Sequence, residues 1–202
     1  MRSEWNHNNH YHGLILSTVP HNCGRGLDVG CGLGLLTRRL ASHCVEMTGI
    51  DLNHQILAAA TGAESAEPYV NFVEGDVITY PFPLASFTFI TAVAVLHHLP
   101  LEPALTRFRE LLAPGGVLMI VGLYRPDGIG DAFFAALGFA TSWTMKRILG
   151  FREVAAPVQV PTQFPRQTVC EIRETARRVL PGGTLKRRLL FRYSLIWCKP
   201  HE

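Results

Sequence analysis

Short apolar segments alternate with amphipathic ones through the first 125 residues of the chain. The apolar segments suit buried strands, and the segments between them place apolar residues on one face of a helix. The predicted strands are Leu27 to Val29, Val45 to Ile50, Val70 to Glu74, Phe87 to Val93 and Val117 to Leu123. The predicted helices are Leu33 to His43, one through Ile56 and Leu57 that ends near Gly62, and Glu102 to Leu112. Strands that alternate with helices of about ten residues are typical of a parallel sheet with helices on both faces. We therefore predict a three-layer α/β fold.

The pattern changes after the fifth predicted strand. Residues 131–151 are rich in large apolar side chains, which suit either a core-packed helix or a cap over a substrate. Val154 to Pro165 reads as an extended connector, and Thr168 with Glu171 forms a capping box for a helix that ends near Val179. Two closing strands, Leu185 to Phe191 and Tyr193 to Cys198, complete the sheet. The prediction is a single domain, residues 1–202, with an N-terminal lid over residues 1–20 and a helical cap over about 127–165.

Composition limits the classes of protein that fit this pattern. With 48% hydrophobic and 17% charged residues the chain is too apolar to be disordered, and its longest apolar run falls short of the ~20 residues of a membrane span. A net charge of +3 is mild and argues for neither a specialised nucleic-acid protein nor a membrane-surface protein. The five cysteines are scattered and without a Cys-x-x-Cys pair, so we expect reduced thiols. The first residues lack the apolar core of a signal peptide, and we expect a cytoplasmic protein.

The first strand runs into a glycine turn, where candidate chemistry begins. Gly30, Gly32 and Gly34 follow Leu27-Asp28-Val29, and such a turn lets a ligand approach the main chain closely. Asp51 follows about twenty residues later, at the end of the second strand, where a carboxylate can accept hydrogen bonds from ribose hydroxyls. Gly30, Asp51, Asp76 and Val93 all fall at predicted carboxyl ends, the edge of a parallel sheet where ligands bind. The pattern therefore predicts an adenosine ligand.

The spacing of the glycines separates two kinds of adenosine ligand. Dinucleotide enzymes carry Gly-x-Gly-x-x-Gly, whereas Leu35 stands three residues after Gly32 here. The carboxylate of Asp28 would repel a phosphate and favour an ammonium or sulfonium group. A sulfonium-bearing nucleoside is thus the better ligand.

Five segments of the chain resemble the class I S-adenosylmethionine-dependent methyltransferases. In chain order, these segments are Leu27 to Gly34, Gly49 to Leu52, Glu74 to Val77, Ser86 to Leu99 with its Val-Leu-His-His-Leu run, and Leu111 to Gly116. The resemblance covers roughly residues 10–125 and implies a Rossmann-like sheet of seven strands whose last strand is antiparallel. It also implies that S-adenosylmethionine is the methyl donor and S-adenosylhomocysteine the product. One departure is Thr88, where the family usually has an acid after the residue corresponding to Phe87.

The resemblance assigns cofactor-binding roles position by position. The turn of Gly30, Cys31, Gly32 and Gly34 would lie against the methionine part, with Asp28 near its amino group. Asp51 would hold the ribose and Leu52 would pack on adenine. Asp76 and the Val77 amide would read the adenine edge, and Ala92 and Val93 would lie near the sulfonium. Apart from the resemblance, the N-terminal residues suit either a helix packed on the core with solvated histidines or a lid with Tyr11 and His12 over the ligand.

The chemistry of methyl transfer requires little of the protein beyond alignment and exclusion of water. If the acceptor must lose a proton, His97 or His12 could act as the base, although a positioning role is the commoner one for His97. Cys31 at a helix N-terminus suggests a nucleophile, yet the need for a small side chain in the turn explains it equally well. The histidines His7, His10 and His12 have no acidic or thiol partner nearby in sequence, so no metal site is predicted.

The sequence is compatible with three functions. The first is a small-molecule methyltransferase, and the apolar cap hints at a hydrophobic or aromatic acceptor. The second is a methyltransferase that acts on RNA or protein. The basic run Lys186-Arg187-Arg188 with Arg192 could contact phosphate or RNA, but alternation along a strand more simply places these residues on a solvated face, and no Asn/Asp-Pro-Pro-Tyr motif follows the fourth strand. The third is a binding module without catalysis. A monomer or homodimer is expected.

Overall fold

The computed structural model of the protein describes residues 9–62, 69–127, 163–189 and 191–201. Its strands are β1 (Cys23–Val29), β2 (Cys44–Asp51), β3 (Val70–Glu74), β4 (Phe87–Val93), β5 (Leu112–Leu123), β6 (Thr184–Arg188) and β7 (Arg192–Cys198). They form one seven-stranded sheet in the order β3-β2-β1-β4-β5-β7-β6. The first five strands in this order, β3-β2-β1-β4-β5, run parallel to one another. β7 is antiparallel to both β5 and β6. The predicted α/β sheet with an antiparallel last strand is confirmed.

Five α-helices accompany the sheet in the described ranges. They are α1 (His12–Leu16), α2 (Leu35–Ala41), α3 (His54–Thr61), α4 (Leu101–Leu111) and α5 (Val169–Val179). The predicted capping box at the start of α5 is present, since the Thr168 hydroxyl accepts from the Glu171 amide and the Glu171 carboxylate accepts from the Thr168 amide. Such reciprocal bonds satisfy amide groups that the first helical turn leaves without partners.

The two faces of the sheet bury separate apolar cores. Alternation along β5 shows the division, because Leu118 and Ile120 join the core beneath α4 and α5 while Met119 and Val121 join the core beneath α1 and α2. Successive side chains of a strand point to opposite faces, so a strand buried on both sides is apolar throughout. The segment from Val117 to Leu123 in β5 carries no polar side chain for this reason.

Two strand boundaries differ from the prediction. β5 begins at Leu112 and runs through Pro114-Gly115-Gly116, which the sequence suggested as the end of the preceding helix. The ladder continues there because the Gly115 amide donates to the Lys199 carbonyl and the Lys199 amide donates to the Gly116 carbonyl, each over 2.9 Å. β6 ends at Arg188, before the predicted Phe191, whose φ of 55° belongs to the turn into β7.

The expectation of five reduced cysteines is corrected by the structure. Cys23 and Cys44 form a disulfide, while Cys31, Cys170 and Cys198 are free. The two bonded residues face each other at the starts of the parallel strands β1 and β2, with Cα atoms 4.5 Å apart. That separation lies within the range a disulfide can bridge. Cysteine spacing in the sequence gave no sign of it, because the partners meet only through strand register.

Parts of the predicted lid and cap lie outside the described residues. These are residues 1–8 of the lid, with Trp5 and His7, and residues 128–162 of the cap. None of the helices within the described ranges has the length and apolarity that a membrane span needs.

Candidate functional site

A cavity of about 500 Å³ opens at the carboxyl ends of β1, β2 and β4. Its volume falls in the range of about 300–1,000 Å³ that is typical of small-ligand sites. Most of the residues predicted to contact the cofactor line this cavity: His12, Asp28, Gly30, Cys31, Gly32, Asp51, Leu52, Asp76, Val77 and Val93. Tyr11, Gly34, Ala92 and His97 are not among the lining residues. Residues far apart in sequence thus meet at one edge of the sheet, as expected for parallel strands.

The glycine turn gives the cavity its floor. The amides of Gly30 and Cys31 both donate to the Ile50 carbonyl, over 2.8 and 3.1 Å, which ties the turn to β2. Gly30 and Gly32 adopt φ values of 67° and 53°, a left-handed region that glycine enters at little cost. A Cβ on Gly30 would lie 2.0 Å from a Val95 methyl carbon, whereas a Cβ on Gly32 would meet no atom within 4 Å. Gly32 therefore leaves open space beside the backbone for a ligand.

Gly34 serves packing and does not line the cavity. It caps the N-terminus of α2 in the left-handed conformation, with φ of 73°. An added Cβ would come within 2.3 Å of the Phe72 ring and 2.9 Å of the Arg38 guanidinium. The third glycine of the turn thus permits close approach of α2 to β3, and Ala92, fully buried within β4, likewise lies behind the cavity wall.

Both carboxylate oxygens of Asp51 are held by backbone amides. Oδ2 accepts from the Gly32 amide and Oδ1 from the Asn53 amide, each over 2.9 Å. The carboxylate therefore connects the glycine turn to the end of β2 in a fixed orientation. Since each oxygen has two lone pairs, both can accept a further hydrogen bond from a ligand hydroxyl.

Asp76 and Leu52 form the side of the cavity beyond β2. The Asp76 carboxylate accepts from the Ile78 amide over 2.9 Å, which turns the chain at the end of β3. Leu52 remains 65% exposed at the cavity, an unusual position for a large apolar side chain. An apolar surface beside a carboxylate suits a flat heterocycle that carries an amino group.

Asp28 is the most deeply buried carboxyl of the site, with 2% of its surface exposed. Burial raises the pKa of Asp28 to about 7, a hydrogen bond from Thr37 opposes the rise, and the charge of Asp51 adds to it. The Thr37 hydroxyl donates over 2.7 Å to Oδ2. Bound ammonium would favour the ionised carboxyl, so Asp28 is suited to a cationic ligand group.

His12 is arranged as a hydrogen-bond donor. The Arg39 guanidinium lies 3.2 Å from Nδ1, and because it can only donate, Nδ1 must accept and the proton of the neutral ring resides on Nε2. Burial and the Arg39 charge lower the pKa of His12 to about 4. The geometry therefore favours donation from Nε2 over the proposed role of a base.

His97 lies beside the cavity and its ring packs on that of His98, with centroids 4.0 Å apart. Its buried Nδ1 makes no hydrogen bond to the part of the chain that the structure describes. Burial, His98 and the Arg192 charge lower the pKa of His97 to about 4. His98, its neighbour, is the residue that lines the cavity.

Tyr11 faces the β6–β7 hairpin. Its hydroxyl donates over 2.8 Å to the Leu189 carbonyl, and its side chain is only 6% exposed. The structure thus places the two predicted residues Tyr11 and His97 on the side of the site away from the three carboxylates.

Thr88, the departure from the family pattern, has a structural role. Its hydroxyl accepts from the Gly24 amide over 2.9 Å and contacts the Arg25 carbonyl over 3.2 Å, so it fastens β4 to β1. An acidic side chain is not needed for this contact.

Sequence reasoning missed several residues of the site. Thr37 could have been noticed as a polar residue on the apolar face of α2, between Leu36 and Leu40. Ala94 lines the cavity with a φ of 54°, a strained conformation of the kind that concentrates at functional sites. Arg192, expected on a solvated face, is only 6% exposed, because β7 pairs with β5 and places its first residue opposite Leu123.

These features fit S-adenosylmethionine. Gly32 leaves space at the turn, and three carboxylates lie at the carboxyl ends of the neighbouring strands β1, β2 and β3. Negative charge is the correct complement to an ammonium and a sulfonium group.

Comparison with known proteins is consistent with the geometry. A family model described as a methyltransferase domain matches residues 27–120. An uncharacterized methyltransferase of Mycobacterium tuberculosis is 34% identical over 205 residues, covering 99% of this chain and 100% of that protein. A ubiquinone biosynthesis O-methyltransferase of Coxiella burnetii is 32% identical over 102 residues, 49% of this chain and 43% of that protein. Among solved structures, a phosphoethanolamine N-methyltransferase of Haemonchus contortus, in complex with S-adenosylhomocysteine, matches with a TM-score of 0.67 at 16% identity, covering 95% of this chain and 53% of that one.

Proposed function

We propose that this chain, which belongs to the class I S-adenosylmethionine-dependent methyltransferases, transfers the methyl group to a small-molecule acceptor, at oxygen or nitrogen. The observation that supports S-adenosylmethionine as the methyl donor is that Asp28, Asp51 and Asp76 lie around the Gly30–Gly32 turn in one cavity.

Each residue of the cavity has a role toward the donor in this proposal. Asp28 binds the amino group, and the open space beside the Gly32 backbone accommodates the methionine part. Asp51 accepts from the ribose hydroxyls, while Leu52 and Asp76 contact the adenine. S-Adenosylmethionine, when bound, supplies a methyl group already activated by the positive charge on sulfur. The chain itself has to orient the acceptor and exclude water.

The small-molecule acceptor is supported by two observations. The segment at the carboxyl end of β4 is Ala92-Val93-Ala94-Val95, which lacks the side chains used against the amino groups of nucleic-acid bases. The Coxiella burnetii relative is an O-methyltransferase of ubiquinone biosynthesis, a small-molecule pathway, although it matches only half of this chain. RNA or protein acceptors and a non-catalytic binding role are the alternatives.

The predicted cytoplasmic location and the monomer or homodimer remain proposals. The Cys23–Cys44 disulfide removes one argument for the cytoplasm, because disulfides are rare in that compartment.

Two experiments, carried out one after the other, test the proposed function. Calorimetry with S-adenosylhomocysteine should show binding to the wild-type protein and strong weakening in Asp51→Ala; absence of binding at high micromolar concentration would refute the proposal. Labelled S-adenosylmethionine is then incubated with the protein and with separate small-molecule, RNA and protein fractions of an extract. The proposal predicts label in the small-molecule fraction, and Asp51→Ala should abolish it. Label in RNA or protein would favour the second function, and binding without label in any fraction the third.

A further inference from the structure

The cavity offers few partners for an anionic group of a ligand. Its three carboxylates suit the amino group, the ribose and the adenine of S-adenosylmethionine, but the methionine part of that cofactor also carries a carboxylate. A charge taken out of water needs a partner, because an unpaired buried charge is costly. No lysine or arginine is among the described residues that line the cavity. The side chains with N–H groups that line it are those of His12, Asn53 and His98.

Two of these three side chains are committed to other contacts. The Asn53 side-chain oxygen accepts from the Ile56 amide over 3.1 Å, and the Asn53 main-chain amide donates to Asp51, so this residue belongs to the ribose side. Nδ1 of His98 lies 3.3 Å from the side-chain oxygen of Gln163. Since that oxygen can only accept, Nδ1 donates, and Nε2 of the neutral ring is an acceptor. A carboxylate requires a donor instead.

His12 has the opposite arrangement. Nη1 of Arg39 lies 3.2 Å from Nδ1, which must accept, so the proton of the neutral ring is on Nε2. Within the described ranges the ring makes no other hydrogen bond, although His12 is only 4% exposed. Buried N–H groups in proteins nearly always have a partner. Because His12 lines the cavity, a ligand bound there can supply it.

Helix α2 places His12 at the same end of the cavity as Asp28. Thr37 donates to the Asp28 carboxyl over 2.7 Å, and Arg39, two residues later, contacts His12. Leu36, on the same helical turn, itself lines the cavity. The ammonium and carboxylate groups of an α-amino acid are attached to one carbon. A ligand whose ammonium group lies at Asp28 therefore brings its carboxylate to the end of the cavity where His12 lies.

Resting on the proposed function, we propose that His12 and Arg39 form the binding site for the carboxylate of the methionine part of the cofactor. Nε2 of His12 donates a hydrogen bond to a carboxylate oxygen. Arg39 is a positioning residue, which fixes the ring with its proton on Nε2. Hydrogen bonds to an ionised acceptor are about twice as strong as those between neutral groups.

Arg39 also supplies the positive charge that the cavity wall lacks. Burial and the Arg39 charge lower the pKa of His12 to about 4, so the ring is neutral at pH 7 and the charge remains on the arginine. Arg39 itself is exposed to water. The site therefore gains a nearby cation without the cost of burying one.

The test compares two ligands that differ in this carboxylate alone. S-Adenosylhomocysteine carries it, and decarboxylated S-adenosylhomocysteine retains the adenosine, the sulfur and the amino group. In calorimetry, the wild-type protein should bind the first at least about thirtyfold more tightly, as expected for hydrogen bonds to a charged group. Because this comparison needs no variant, it holds even if a change at His12 impairs folding.

Variants at His12 then assign the preference for the carboxylate to one side chain. His12→Phe lacks the N–H donor, and the ratio of the two affinities should fall to about threefold or less, through weaker binding of S-adenosylhomocysteine. His12→Gln keeps an N–H group near the position of Nε2 and should retain most of the ratio. A merely structural role of His12 would weaken the binding of both ligands alike and leave the ratio unchanged.

Arg39 is tested separately, since replacement of an exposed side chain perturbs the fold little. Arg39→Gln should lower the ratio of the two affinities about fivefold, because the charge behind the ring is lost. Arg177→Gln is the matched control. It removes an exposed arginine from α5, on the other face of the sheet, and should change neither affinity.

The outcomes separate this inference from the proposed function. If S-adenosylhomocysteine fails to bind, the proposed function itself fails. If it binds, the inference is wrong, while the methyltransferase function stands, in each of three cases: the wild-type protein binds both ligands equally, His12→Phe leaves the ratio unchanged, or Arg39→Gln has no larger effect than Arg177→Gln.

Discussion

The hydroxyl of Thr37 donates a 2.7 Å hydrogen bond to the buried carboxyl of Asp28. This bond opposes the desolvation that raises the pKa of Asp28 to about 7. Burial and this opposing bond together therefore place the ionisation of Asp28, and with it the binding of a cationic ligand group, near neutral pH.

Replacement of Thr37 by valine should weaken cofactor binding and move its pH dependence. In the wild-type protein the affinity for S-adenosylhomocysteine should rise as the pH rises through about 7, because Asp28 becomes ionised. Without the hydroxyl the pKa of Asp28 rises further, so the midpoint shifts upward and the affinity at pH 7 falls about tenfold. Calorimetric titrations between about pH 5.5 and pH 8.5 measure both effects.

Thr91→Val is the matched control for that substitution. Thr91 is fully buried, and its hydroxyl has no hydrogen-bond partner within the described ranges. Its loss should leave the pH midpoint unchanged. Equal shifts in the two variants would show that Thr37 acts only through packing.

The buried carboxyl of Asp28 should also make the fold less stable at alkaline pH. In the unfolded chain this carboxyl has its ordinary pKa of 3.8, and in the folded chain burial raises its pKa to about 7. Between these values the folded protein holds a proton that the unfolded chain has lost, so the free energy of unfolding falls as pH rises. The loss amounts to about 1.4 kcal/mol per unit of pKa difference.

Asp28→Asn isolates this contribution. The amide cannot ionise, while the other titrating groups, His12 and His97 included, remain in both proteins. Urea titrations at pH 5 and pH 8 measure the free energy of unfolding. Between these pH values it should fall by a few kcal/mol more in the wild-type protein than in the variant. Parallel pH dependence in both proteins would contradict the account of Asp28.

Alanine at two glycines of the turn should affect different properties of the protein, the stability of the fold at one and the binding of the cofactor at the other. At Gly30 the new methyl group would collide with Val95, so Gly30→Ala should cost about 2 kcal/mol or more of stability. At Gly32 the methyl group would enter open space beside the cavity, so Gly32→Ala should cost about 1 kcal/mol and chiefly weaken cofactor binding.

Thermal unfolding and calorimetry distinguish these effects. Val95→Ala in the Gly30→Ala background should recover part of the stability, because it removes the colliding methyl groups. If Gly32→Ala left the affinity for S-adenosylhomocysteine unchanged, the ligand would lie elsewhere.

Loss of either candidate base should change turnover little. With pKa values near 4, His12 and His97 are weak bases, and the arrangement of His12 favours donation. His12→Gln and His97→Gln should therefore lower turnover of the acceptor by less than about tenfold, with no inflection of the rate near histidine's ordinary pKa. A loss of about 10²–10⁴-fold in either variant would instead identify a general base.

Much of the site could be predicted because it depends on local patterns. Asp51 and Asp76 stand directly after apolar strands, and the carboxyl ends of parallel strands meet at one edge of the sheet. Gly30 and Gly32 likewise follow a strand. Sequence order alone was enough to bring these residues together.

The remainder depends on contacts between distant segments. The Cys23–Cys44 bond follows from the register of β1 against β2, and the place of Arg192 follows from the pairing of β7 with β5. Gly34 was assigned to the ligand with the other glycines, yet the approach of Phe72 from β3 accounts for it. No local pattern contains this information.

A crystal structure of the protein with S-adenosylhomocysteine tests the central claim most directly. The account predicts the ribose hydroxyls within hydrogen-bond distance of the Asp51 carboxylate, the amino group at Asp28 and the sulfur beside Val93. A nucleoside bound away from Asp51, or a sulfur directed away from Val93, would contradict it.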